Sequence, residues 1–195
     1  MLVARGLAES REKARIMVME GAVVADNRTI VKTGTLVDED AEVQLLRSPQ
    51  FVSRGGLKLE YALDGFRLEV KGLVAVDVGA STGGFTDCLL KRGARKVYAV
   101  DVGYGQLDYR LRQDPRVVVM ERINARYAFT LPEPGDLATV DVSFISLEKV
   151  VPTVAGLVKS GDYLIVLVKP QFEVGKGQVG KGGLVKDRLV HATAL

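Results

Sequence analysis

"GLVAVDVGASTGGFTDCLLKRGARKVYAVDVG", residues 72–103, decides the fold. Leu73–Val78 is a short apolar run that stops at a glycine, Gly84–Arg92 has helical spacing, and Val97–Val102 is a second apolar run. Neither run alternates apolar with polar residues, as a strand with one wet face would, so both read as strands buried on two faces. A strand, a helix and a second strand in so short a span make a βαβ unit, whose strands are parallel. Outward from it, further strands are expected at Val117–Met120, Leu137–Val142 and Tyr163–Val168, with helices over Gln106–Gln113 and Leu147–Lys159. The fold class is α/β, a doubly wound Rossmann-like sheet.

Upstream, Ser53-Arg54-Gly55-Gly56 leads into a helix with Leu59, Ala62, Leu63 and Phe66 on one side and Lys58 on its first turn. Before that the pattern is different. Ser10 is a suitable N-cap for a helix through Glu20, with Ala14, Met17 and Val18 on one face and Gly21 as its stop. Extended pieces follow at Ala22–Val24, Thr29–Lys32 and Glu42–Leu46, with a turn at Asp26-Asn27. These define a small α/β domain over residues 1–47, a linker over 48–53 and a large domain over 54–195.

The 195 residues are 47% apolar and 26% charged, the balance of an ordinary globular protein. No run approaches the roughly 18 apolar residues of a membrane span, and the N-terminus lacks the apolar core of a secretory leader. Cys88 has no partner for a disulfide, no Cys/His cluster suggests a metal, and the single His191 is given no role. A cytoplasmic location without membrane contact is expected. The net charge of +3 is too small to argue for nucleic acid, but its distribution is uneven. Arg5, Arg11, Lys13 and Arg15 lie early in the small domain, and Asp38, Glu39, Asp40 and Glu42 late.

In sheets of this kind ligands bind at the carboxyl ends of the strands. All five expected ends are polar: Asp77-Val78-Gly79, Asp101-Val102-Gly103, Arg122-Ile123-Asn124, Asp141-Val142-Ser143 and Lys169-Pro170-Gln171. The first continues as a glycine turn through Gly79, Ser81, Gly83 and Phe85. Its spacing fits neither the dinucleotide fingerprint nor the phosphate-binding loop, which argues against a nicotinamide oxidoreductase. Asp101 suits two ribose hydroxyls, and Asn124 an adenine edge. Taken singly, a glycine loop is often only a tight turn and Asp101 only a cap. Together at three successive strand ends they point to an adenosine without pyrophosphate, with S-adenosylmethionine the leading candidate.

Lys169 ends its strand and Pro170 stops it, while Asp141 ends the expected neighbour, so both side chains should enter one crevice. Alone, the pair reads as a salt bridge. Lys58 offers a second ammonium beside it.

The segments "SRGGLKLEYAL", "DVGASTGGFTDCLLKRGA", "VYAVDVGYGQLDYRLRQDPRV", "DVSFISL" and "LVKPQFEVGKGQVGKGG" resemble the hemolysin A-type (TlyA) ribosomal RNA 2′-O-methyltransferases, relatives of the FtsJ methyltransferases. Residues 2–48, with "RGLAESREKA", resemble the S4 RNA-binding domain that precedes the methyltransferase domain there. The resemblance implies S-adenosylmethionine as cofactor, held by Gly83, Phe85, Asp101, Asn124 and Asp141, although FtsJ relatives carry Asp where this chain has Asn124. It implies a Lys-Asp-Lys-Glu tetrad whose first three members are Lys58, Asp141 and Lys169. Its glutamate and the last two strands of the sheet are expected beyond Leu195, which leaves the final strand here as an edge. Lys169 is implied as the base that takes the ribose proton, assisted by Asp141 and Lys58. A solvated lysine is protonated at neutral pH, so such a base needs desolvation and positive neighbours.

The implied partners are ribosomal RNA or ribosomal subunits, held by Arg5, Arg11, Lys13 and Arg15 and by Lys176 and Lys181 in a glycine-rich loop over residues 171–188. Two other readings stand beside this one. One is a non-catalytic RNA- or ribosome-binding protein that keeps the fold. The other is a cytolysin, implied by the family name alone and supported by no amphipathic or membrane-length segment.

Overall fold

The structure, a computed structural model, describes residues 1–19, 21–46, 50–180 and 182–194. In the N-terminal part α1 (Arg11–Met19) precedes β1 (Val23–Ala25), β2 (Arg28–Ile30) and β3 (Val43–Leu45). Ser10 Oγ accepts the Lys13 amide at 3.2 Å, as an N-cap should. Asp26 and Asn27 both take positive φ, 46° and 61°, the two-residue turn whose twist suits an antiparallel hairpin. β1 pairs with β2 on one side and β3 on the other, and Met17, Val18, Ala22 and Val23 form the core beneath.

The rest of the chain contains α2 (Gly55–Phe66), β4 (Val74–Val78), α3 (Gly84–Lys91), β5 (Lys96–Val100), α4 (Tyr109–Gln113) and β6 (Val117–Met120). It continues with β7 (Gly135–Val140), α5 (Val151–Ala155), β8 (Val158–Val166), α6 (Pro170–Glu173) and α7 (Arg188–Thr193). The five strands form one parallel sheet in the order β6-β5-β4-β7-β8. One apolar cluster, with Leu59, Leu63 and Leu89, covers one face; a second, with Tyr98, Val140 and Val154, covers the other. Leu59 and Leu63 are each 1% exposed, which stabilises the fold by about 2 kcal/mol apiece. Order reverses between β4 and β7, and a crevice opens at such a reversal. β8 is the edge among the described residues.

Several boundaries differ from the sequence reading. β5 ends at Val100 rather than Val102, because the Asp101 carboxylate turns back to accept the Gly103 amide at 2.7 Å. The helix expected over Gln106–Gln113 starts only at Tyr109, where Asp108 caps it by accepting the Arg110 amide. The helix expected over Leu147–Lys159 is reduced to a 3₁₀ turn at Leu147–Lys149 and the five-residue α5. Pro152 is tolerated only in a first turn, so it pins the start, and Gly156 follows as the end. The residues after it extend β8 backward to Val158. Ser48 and Pro49 of the linker lie outside the described residues. Phe51 and Val52 are buried in the core around α2 and α3, where Asp87 accepts the Val52 amide at 2.8 Å. Among the described residues no helix is long and apolar enough to cross a membrane, and no three His, Cys, Asp or Glu gather as a metal site.

Candidate active site

The turn from β4 into α3 is shaped by two close approaches. Gly79 has φ 86°, and a Cβ there would sit 2.6 Å from the Asp141 carbonyl oxygen. Gly83 has φ 98°, and a Cβ there would sit 2.3 Å from the Leu111 side chain. Only glycine fits either position, so the turn lies directly against the end of β7. Ser81, also left-handed at φ 49°, is held by Asp101, whose second carboxylate oxygen accepts the Ser81 amide at 2.8 Å. Each Asp101 oxygen has thus spent one lone pair on backbone and keeps another for a ligand hydroxyl.

Two cavities meet here. The smaller, 280 Å³, is lined among others by Lys58, Gly79, Phe85, Asp141, Ser143 and Lys169. The larger, 530 Å³, runs past Ser81, Asp101, Asn124 and Ile145 and shares Asp141 and Ser143 with the first. Phe85 is mostly core, with its ring closing the floor of the smaller one. Asn124 Oδ1 accepts the Arg126 amide at 3.0 Å, which leaves its NH₂ as the group able to donate to a ligand. The donor set suits S-adenosylmethionine. The larger cavity offers a carboxylate for ribose and an amide for adenine, and the glycine turn lines both cavities through Gly79 and Ser81.

At the junction the three expected residues converge. Lys169 Nζ lies 2.5 Å from Asp141 Oδ1, and Lys58 Nζ lies 3.1 Å from Asp141 Oδ2. Parallel pairing of β7 with β8 brings Asp141 and Lys169 together, and α2 carries Lys58 in from the opposite side. Lys169 also donates to the Val142 carbonyl and to Ser143 Oγ, both at 2.8 Å. Its side chain is 18% exposed and that of Lys58 50%, so the two ammonium groups experience different solvent screening.

Outside the crevice the expected residues divide. Arg5 is committed to structure, donating to the Ala41 carbonyl at 2.7 Å and to that of Glu39. Among the described residues no carboxylate lies within ion-pair distance of Arg11, Lys13 or Arg15. The Lys176 side chain and Lys181 lie outside the described residues. Cys88 is core, its thiol pushed up to about 12 by burial, and exposed His191 only meets the Val185 carbonyl.

The sequence reading placed Ser143 at a polar strand end without giving it a role, and it missed a basic aromatic rim. Arg122, itself left-handed at φ 61°, stacks on Tyr104 at 4.4 Å, and Arg126 lies 5.8 Å from the ring of Tyr127. Both tyrosines are more than 60% exposed. Two arginines in "RINAR" directly after a strand were the available signal.

The description of FtsJ-like methyltransferases matches residues 51–195. The chain is 52% identical over 200 residues to Bacillus subtilis YqxC, designated an rRNA methyltransferase, spanning 100% of this chain and 71% of the relative. It is 48% identical over 198 residues to the Mycobacterium tuberculosis 16S/23S rRNA (cytidine-2′-O)-methyltransferase TlyA, spanning 100% of this chain and 74% of that protein. A solved structure from Streptococcus thermophilus, designated a hemolysin, shares 44% identity and superposes with a TM-score of 0.75 over 99% of this chain and 72% of its own. With an open parallel sheet, a nucleoside-sized crevice at its switch point and this match along its length, the chain belongs to the FtsJ-like methyltransferase family, and its cofactor is S-adenosylmethionine.

Proposed function

We propose that the protein transfers a methyl group to a ribose 2′-hydroxyl of ribosomal RNA, with Lys169 as the base, Asp141 as its orienting partner and Lys58 as a second cation. The observation that carries this reading is the Lys58–Asp141–Lys169 cluster at the junction of the two cavities. When bound, the cofactor supplies an electrophilic methyl on a positively charged sulfur. What the protein must add is a base within reach of a weakly acidic hydroxyl and a fixed direction of attack.

Lys169 can supply both. As an ammonium its three protons meet Asp141, the Val142 carbonyl and Ser143 Oγ. Of these three partners only the Ser143 hydroxyl can also donate. A neutral Lys169 therefore keeps two donated bonds, to Asp141 and Val142, and turns its lone pair toward Ser143, where a substrate hydroxyl would enter. Proton transfer from that hydroxyl to Nζ restores the ammonium, and Asp141 stabilises the charge formed. Lys58, half exposed, is suited to the negative phosphate or oxygen of an approaching ribose.

The relatives designated as rRNA methyltransferases support RNA as the substrate. So does the rim, in which Arg122 and Arg126 lie outside ion-pair distance of any described carboxylate and Phe144 is 92% exposed beside Ser143. Guanidinium groups and open aromatic faces suit phosphates and unstacked bases respectively. Residues 1–47 are proposed as an S4-like RNA-binding domain, acting through Arg11, Lys13 and Arg15. The test is incubation with methyl-labelled cofactor and isolated ribosomal subunits, followed by nuclease digestion; label recovered on 2′-O-methyl nucleosides is the expected result. RNA retention without label would favour the non-catalytic binding reading. The double variant Arg122→Gln/Arg126→Gln should weaken RNA binding and lower the slope of log affinity against log salt by about 1.5. An unchanged slope would remove these arginines from the interface.

A further inference from the structure

Glu173, the last residue of α6, turns its carboxylate to the loop that follows β7. Its Oε2 accepts from Ser146 Oγ at 2.8 Å, and both of its oxygens accept the Leu147 amide at 3.1 Å. Among the described residues no ammonium or guanidinium lies within ion-pair distance of it. It lines neither cavity. An acid with no cation and no ligand space, whose oxygens are spent on donors of another loop, is holding that loop.

The loop needs holding. Sheet pairing reaches as far as Asp141, whose amide donates to the Val78 carbonyl at 3.0 Å, but no backbone–backbone hydrogen bond fixes residues 142–145. Phe144 within them has φ 65°, a left-handed conformation that is costly for a bulky side chain. Its ring meets that of Phe172, next to Glu173, with centroids 5.2 Å apart and planes tilted by 47°. Phe144 is 92% exposed, so no surrounding core fixes it. One polar and one aromatic contact therefore clasp this loop to α6. Lys169 and Ser143 lie just inside the clasp, joined at 2.8 Å. The path from Lys169 through α6 to Glu173, across to Ser146, back to Ser143 and through its hydroxyl to Nζ is a closed ring.

We propose that Glu173 is a positioning residue for methyl transfer, clasping the two loops so that Ser143 and the Lys169 amine keep their relative direction. The inference rests on the reading of Lys169 as the base. Without the clasp Lys169 keeps its bonds to Asp141 and to the Val142 carbonyl. Ser143, past the last sheet bond and beside a strained residue, relaxes away from it. The lone pair then loses the hydroxyl that marks where the substrate enters. A displacement of about 1 Å between reacting groups can cost on the order of 10²-fold in rate.

Single-turnover transfer of labelled methyl to ribosomal subunits, with cofactor and subunit affinities measured separately, tests this. Glu173→Ala should slow transfer by about 30-fold while both affinities stay within about twofold. Glu173→Gln should recover to within about threefold of the original rate, because its amide can accept from Leu147 and donate to Ser146. In a Lys169→Ala background, Glu173→Ala should slow the residual rate by less than about twofold, since the group it directs is gone. Ser146→Ala removes one arm of the clasp and should follow the same pattern at about fivefold. It keeps the test decisive if Glu173→Ala does not fold. An unchanged rate in both alanine variants, or a loss that persists in full without Lys169, would overturn the inference and leave the base assignment standing. Full turnover by Lys169→Ala alone would remove the assignment on which the inference rests.

Discussion

Lys169→Ala is expected to lower methyl transfer by about 10³-fold while leaving cofactor affinity within about threefold of its original value. Loss of a positioned general base typically costs between 10² and 10⁴ in rate. The large cavity, with Asp101 and Asn124, does not depend on this side chain. Lys169→Arg separates the two things a lysine can do here. Guanidinium stays charged and cannot accept a proton, so an arginine that restored turnover would make residue 169 an electrostatic anchor and not a base. Single-turnover transfer of labelled methyl, with affinity measured separately by calorimetry, reads both arms. Intact turnover in Lys169→Ala would discard the assignment.

The expectation can be this specific because the crevice was largely readable before any coordinates. Parallel strands follow from continuous apolar runs joined by helices, and a parallel sheet puts every strand end on one side. Asp77, Asp101, Asp141 and Lys169 were therefore tied to one face by topology alone, and β7 does lie beside β8 as the Asp141–Lys169 pairing required. Lys58 was harder. Its helix precedes the sheet, and only packing of α2 against α3 places it opposite Asp141.

What escaped was decided by side chains or by single residues that override a run. Helical periodicity over Leu147–Lys159 carried no sign that Pro152 would fix where the helix begins and leave the later residues to β8. Asp101 was read as a ligand for hydroxyls, but its bonds to the Ser81 and Gly103 amides, which end β5 early, depend on a turn that spacing does not reveal. Arg5 was counted among RNA contacts by charge, whereas its guanidinium is spent on the carbonyls of Ala41 and Glu39. Charge clusters are visible in a sequence; which cations are already engaged is not. Glu173 shows the converse, since it stood in the segment after Lys169 without any hint that it would reach Ser146 and the Leu147 amide.

Asp141→Ala should depress both binding and rate, unlike Lys169→Ala. Removal of this carboxylate leaves Lys58 and Lys169 facing the crevice without their shared anion, next to a cofactor that is itself cationic. Like charges so placed disfavour cofactor entry, and about tenfold in affinity, or roughly 1.4 kcal/mol, is expected. The rate should fall by about 10³-fold, because Lys169 keeps only the Val142 carbonyl and Ser143 to direct it. The effect on folding should be smaller. Lys58 is half exposed, so its pair contributes under about 1 kcal/mol, while the better shielded Lys169 pair contributes about 2. Asp141→Asn keeps the shape and loses the charge, so it should reproduce the affinity loss with a milder change in melting temperature. The sharpest reading comes from combining Asp141→Ala with Lys169→Ala. Groups that act as one unit are not additive, so the double variant should be no slower than Lys169→Ala alone. Rates that multiplied instead would mean the aspartate and the lysine serve separate steps, and the convergence of three charges at the junction of the cavities would then be a structural ion-pair network and not a catalytic one.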